Sequence, residues 1–202
     1  IASLIFLRRL ELLLAERERA GKHVGACSAQ TRNVQNPENL LSRIDFEYPC
    51  GWHVVEEALV RKASRRGIVS DIVYVNPDPI SFAPRDVEPS RIIIGIDEQD
   101  PSRRYPRLKT RAQYVDETSR QYTSVTITEL AANAGGIIFT KIEGEQMMFE
   151  QKVPVVNYIA ELFDKNQPER RRILQIWSGN PAWEDGSVER ALTLLIQTLK
   201  QI

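Results

Sequence analysis

The chain opens on a helical pattern. In ASLIFLRRLELLLAERERA, residues 2–20, Leu4, Phe6, Leu7, Leu10, Leu13 and Leu14 share one wide apolar face, and the charged run Glu16 to Arg19 follows. Apolar positions three and four apart predict an amphipathic helix over 3–19. Left bare, its leucines would form an apolar patch of roughly several hundred Å², which soluble monomers seldom carry. The helix is therefore expected to dock on the domain body or on a second subunit. Residues 21–49 are polar and irregular; Asn33, Asn36 and Pro37 favour turns, with a short helix expected at 37–43. Another helix is predicted over 51–66, ending at Gly67, with Arg65 and Arg66 at its carbonyl end where the helix dipole favours cations.

The pattern then changes period. IVSDIVYV (68–75) and RIIIGI (91–96) are rich in β-branched residues and read as strands. The intervening NPDPISFAPRDVEPS holds four prolines, which bar a central strand. Residues 98–120 read as a charged loop. QYTSVTIT (121–128) alternates like a strand or leads into a short helix at 128–134. GGIIFTKI (135–142), a turn at EGE and QMMFEQK (146–152) read as a hairpin. A helix at 154–166, a strand at 172–177 and a helix at 187–201 complete the chain. These elements predict an α/β fold, with mixed α+β as the variant. Its central mixed sheet uses 68–75, 91–96, 137–142 and 146–151, flanked by the helices at 51–66 and 154–166. Residues 1–20 are expected to be a docking helix and 21–202 a single domain.

Composition adds bounds. The 202 residues are 42% apolar and 27% charged with zero net charge, ordinary for a globular protein and enough for a real core. No apolar run approaches a membrane span, so no membrane association is expected. Two cysteines are too few for a disulfide scaffold, which points to a reducing, cytoplasmic setting. Arginine outnumbers lysine 20 to 7 and clusters. SRRYPRLKTR places Arg103, Arg104, Arg107, Lys109 and Arg111 around Tyr105, a basic loop suited to a phosphate backbone.

All the cysteines and histidines fall within 31 residues, as His23-x3-Cys27 and Cys50-x2-His53. Thiolate and imidazole are the ligands zinc prefers, and two close pairs joined by a loop can build a tetrahedral site. A Zn2+ site at His23, Cys27, Cys50 and His53 is one reading; Cys50 as an ordinary packed thiol is another. Cys50 at a helix amino end would also have a lowered thiol pKa. The run CGWH, Cys50 to His53, resembles the nucleophile turn of papain-like viral cysteine proteases of the ovarian-tumour-domain type, which implies a cysteine hydrolase. Such enzymes take their base from a downstream histidine, and none follows His53.

A second chemistry uses carboxylates. Metal-dependent nucleases hold a divalent cation on acids and often use a lysine to activate water. Glu150-x-Lys152 follows the apolar triplet Met147 to Phe149, with Glu143 and Glu145 in the expected turn before it. The element order over residues 135–177 resembles the core of the PD-(D/E)xK nuclease superfamily, which implies Mg2+ or Mn2+ at Glu150 with Lys152. A rival placement uses Asp78, in Pro77-Asp78, with Asp97-Glu98-Gln99 after RIIIGI, and Glu56 or Glu57 as a further acid. The leading expectation is a nucleic-acid-processing protein, a divalent-metal-dependent nuclease. The alternatives are a non-catalytic assembly or adaptor module docking through residues 3–19 on a protein partner or as a homo-oligomer, and a cysteine hydrolase.

Overall fold

The computed structural model describes residues 29–31, 40–56, 68–77, 92–99, 107–148, 150–164, 167–179 and 186–202. The 3–19 helix, Arg103, Arg104, His23, Cys27 and Asp78 lie outside them.

Eleven strands and two α-helices are described. β1 (Ala29–Thr31) pairs antiparallel with β3 (Glu47–Pro49). A 3-10 turn at Leu40–Arg43 leads into β2 (Ile44–Asp45), which pairs with the last strand, β11 (Lys200–Gln201). The body is a seven-stranded sheet. Its strands are β4 (His53–Glu56), β5 (Ile68–Asn76), β6 (Ile92–Gln99), β7 (Thr123–Glu129), β8 (Thr140–Met148), β9 (Gln151–Asp164) and β10 (Gln167–Gly179). They lie in the order β4-β5-β6-β10-β9-β8-β7. Every pairing is antiparallel, so the expected mixed sheet is corrected: two meanders, β4 to β6 and β7 to β10, join where β6 meets β10.

Strand alternation sends successive side chains to opposite faces, and each face receives one helix. The β6–β7 connection must carry the chain to the far edge of the sheet, and it holds α1 (Arg111–Ser119), which packs on β8 and β9. A reciprocal capping box starts α1: Thr110 accepts from the Gln113 backbone N–H, and the Gln113 side chain accepts from the Thr110 N–H at 2.8 Å. α2 (Ser187–Thr198) follows β10 on the other face and buries Val188, Ala191, Leu192, Leu195 and Ile196, a helical spacing. Against them pack Val73, Val75, Ile92, Ile94, Ile96, Leu174 and Ile176, with Leu41, Ile44 and Phe46. Fully burying each such side chain is worth about 1.5–3 kcal/mol. The α1 face carries a smaller cluster of Leu108, Tyr122, Ile142, Val155, Ile159 and Ile173.

Several expected elements are replaced. The helix over 51–66 is not formed where it is described, since 53–56 is β4. Cys50 and Gly51 form a turn closed by the Trp52 N–H donating to Pro49 O at 3.1 Å, and Gly51 takes φ +83°. Glycine at the third position is what a type II turn requires. The helix over 154–166 is the long strand β9, and the turn at Glu143-Gly144-Glu145 is the middle of β8. The charged loop 98–120 contains α1 and the end of β6. The short helix at 128–134 is the end of β7 and a turn. The strands at 68–75 and 91–96 and the helix at 187–201 match the structure closely.

Candidate functional site

The structure separates the acidic candidates. Glu150 sits in the turn between β8 and β9 at φ +66°, exposed, and Lys152 is exposed with its Nζ 3.6 Å from Glu145 Oε2. Glu143 pairs with Lys141 Nζ at 2.7 Å. The Glu150-x-Lys152 triplet is thus the tip of a solvated hairpin. Asp97, on the α1 face of β6, is half-buried and accepts two hydroxyl hydrogen bonds, from Ser70 Oγ at 2.6 Å and from the Tyr114 hydroxyl at 2.5 Å. Burial, then this hydrogen bond and the charges of Asp97 and Glu117, hold the Tyr114 phenol well above the ordinary tyrosine range. Glu98, one residue on, points to the opposite face, where it is buried and bound by Arg172 Nε, with Arg170 at 3.7 Å. Gln99 accepts from the Leu108 N–H. Among the described residues no group of three His, Cys, Asp or Glu side chains is placed to hold a metal ion.

The other candidates are also dispersed. Lys109 pairs with Glu117 at 2.5 Å, and Arg111 pairs with Glu129 at 2.9 Å while donating to Ile138 O at 3.3 Å. Arg107 is exposed. Cys50 is disulfide-bonded, and the sequence holds one other cysteine, Cys27. A disulfide sulfur carries no thiolate, so in this state Cys50 is neither a zinc ligand nor a nucleophile. It sits in a turn rather than at a helix amino end, so no helix dipole acts on it. His53 is exposed on β4, opposite Asn76.

What the structure does bring together was not singled out from the sequence. On the α1 face, beyond the helix, two rows of side chains lie side by side. One row is Ile72, Gly95 and Gln175; the next is Tyr74, Ile93, Trp177 and Asn157. Of these, all but the buried Asn157 are partly exposed. Among the described residues, a Cβ built on Gly95 would meet only Ile72 Cγ1, at 4.0 Å. The glycine therefore leaves a dip in an apolar, aromatic floor. The Asp97–Ser70–Tyr114 cluster bounds it on one side. On the other, the buried Tyr122 hydroxyl is hydrogen-bonded to the side chains of Asn157 and Trp177; burial raises this phenol's pKa, and those two bonds act against the rise. Asn157 is 4% exposed and its Oδ1 has no hydrogen-bond partner. A buried acceptor left unpaired costs about 1–3 kcal/mol. The sequence signal for this strip was the glycine inside RIIIGI, since an isolated glycine in a strand often marks a close approach to the backbone.

No protein-family model and no curated protein matches the chain. Among solved structures, LpqN of Mycobacterium tuberculosis, described as involved in cell envelope biogenesis, is similar at 12% identity with a TM-score of 0.51 over 85% of this chain and 90% of that one. PA94 from Pseudomonas aeruginosa, of unknown function, matches at 12% identity and a TM-score of 0.34, covering 83% of this chain and 96% of that one. The likeness to LpqN is one of fold.

Proposed function

We propose that the protein is a non-catalytic binding module that holds an apolar segment of a partner against the α1 face of its sheet. One observation carries this reading: the partly exposed strip of Ile72, Tyr74, Ile93 and Trp177 around the dip at Gly95. Binding sites are mostly apolar surfaces with a few placed polar groups. Here such a group is Gln175, partly exposed and in register with Gly95. The nuclease reading finds no comparable support, because Asp97 is engaged by two hydroxyls and Glu98 by Arg172. The Cys50 disulfide supports an oxidising compartment rather than a reducing cytosol.

The test uses a fluorescent apolar probe, an anilinonaphthalene sulfonate, titrated into the full chain. Saturable binding to one site is expected, weakened at least about tenfold by Gly95→Val. That change fills the dip at ordinary van der Waals distance in a strand that favours β-branched residues. Equal binding by the folded variant would overturn the reading.

A further inference from the structure

We infer that the protein pairs with a second copy of itself, edge to edge along β7, about a two-fold axis through Ile127. The seven-stranded sheet has two edges, β4 and β7. β4 has four described residues, His53–Glu56. β7 is seven residues, TSVTITE, exposed throughout. From Thr126 to Glu129 it is regular and carries neither lysine nor proline, two usual guards of an edge; a bulge between Thr123 and Thr126 takes in Ser124 and Val125 just before it.

The hydrogen-bond parity of β7 fixes what it offers. Leu130 N–H donates to Phe139 O at 2.9 Å, and Thr128 lies opposite Lys141 and Thr126 opposite Glu143 in the same register. Residues 126, 128 and 130 therefore spend their backbone groups on β8, and residues 127 and 129 turn theirs outward. A second β7 laid antiparallel about Ile127 sets Ile127 against itself and Val125 against Glu129. The Ile127 pair is hydrogen-bonded and makes two main-chain bonds on the axis, and Glu129 turns a further N–H and C=O toward the second copy on each side. Thr126 falls opposite Thr128 of the second copy, and Thr–Thr pairs favour antiparallel sheets. No like charges meet, because Glu129 is held by Arg111 at 2.9 Å and faces a valine.

The apolar surface agrees with this register. Six large hydrophobic side chains are conspicuously exposed among the described residues, and Val125 (37%), Ile127 (51%) and Ile138 (45%) are three of them. Ile127 lies opposite Ile142, on the α1 face. With the axis normal to the sheet, the two copies' Ile127 side chains meet on that face. An isologous contact of this kind closes as a dimer and leaves no further β7 edge.

The experiment is sedimentation velocity of the full chain across micromolar concentrations, with amide hydrogen exchange at matched concentrations. A concentration-dependent dimer is expected, with exchange at Ile127 and Glu129 slowed as it forms. Ile127→Lys sets two like charges against each other on the axis and should weaken the dimer at least about tenfold. Ile127→Pro is the second variant; it removes an outward N–H and spares the β8 ladder, as edge positions tolerate. Phe163→Lys, at another exposed hydrophobic (57%), should leave the dimer unchanged. A monomer at every concentration, or a dimer that both Ile127 variants leave at full strength, would overturn the proposal.

Discussion

Asp97 and Glu98 are neighbours with opposite fates, because strand alternation sends one to each face of β6. Glu98 and Arg172 form a buried cross-strand pair, 6% and 3% exposed. Arg172→Met leaves the buried Glu98 to the more distant Arg170, at 3.7 Å, so it should cost up to about 3–5 kcal/mol in chemical denaturation, while replacing both Glu98 and Arg172 by apolar residues should recover most of it. A single variant as stable as the parent would show that the pair carries no such penalty. Tyrosines give a pH test. Burial, then the charges of Glu143 and Glu189, push Tyr158 up to about 12, and Tyr114 and Tyr122 are raised as well, in each case chiefly by burial. Below the ordinary tyrosine pKa of about 10 both folded and unfolded chains hold these protons, and stability is complete. As pH rises from there toward the folded values, the unfolded chain releases protons that the folded one keeps, so stability falls. Tyrosinate absorbance of the folded protein should therefore show only a fraction of its six tyrosines ionising near pH 10. All six titrating together would contradict the burial described.

Among the elements, the strands rich in β-branched residues, β5 and β6, and the leucine-periodic α2 were legible from the sequence alone. β9 was not. VPVVNYIAELFD buries residues on both faces as an interior strand, and continuous apolar runs look alike in a buried helix and a buried strand. Gly144 looked like a turn residue, yet it sits in β8 because a Cβ there would come within 2.9 Å of Tyr122 Cβ and Thr123 O. α1 was hidden by its composition, since its single fully buried residue is Thr118; the Thr110-x-x-Gln113 capping box was its one sequence mark. The turn before Ile137 also has a structural purpose that spacing does not reveal. Asn133 Nδ2 donates to Ile196 O at 2.7 Å and Leu199 O at 2.8 Å, and its Oδ1 accepts from the Gly135 and Ile137 N–H groups. Asn133→Ala should cost on the order of 3 kcal/mol in urea unfolding. Gly135→Ala should cost about 1–3 kcal/mol or more, because its Cβ would fall 2.4 Å from Leu199 O. Wild-type midpoints for both would remove this turn from the account of how α2 is anchored.

At the scale of the whole molecule, a sequence rich in arginine and acids suggested a charged active site, but the fold disperses those charges. The Arg111 and Lys109 side chains are matched to Glu129 and Glu117 at the surface, and Glu150 and Lys152 stand on a hairpin tip. The candidate site is instead built from hydrophobic residues far apart in the chain, Ile72, Tyr74, Ile93 and Trp177, whose meeting depends on β6 pairing with β10 across the two meanders. No local pattern encodes that pairing. The central claim is that this strip binds, and Trp177 lies within it. Of the described tryptophans, Trp52 is buried in the other core and Trp177 is partly exposed. The most direct measurement is energy transfer from tryptophan to the bound apolar probe in the parent protein, Trp177→Phe and Gly95→Val. Strong transfer in the parent, most of it lost in Trp177→Phe, and probe binding weakened at least about tenfold with Gly95→Val are the expected results. Transfer that survives Trp177→Phe undiminished would place the probe elsewhere and contradict it.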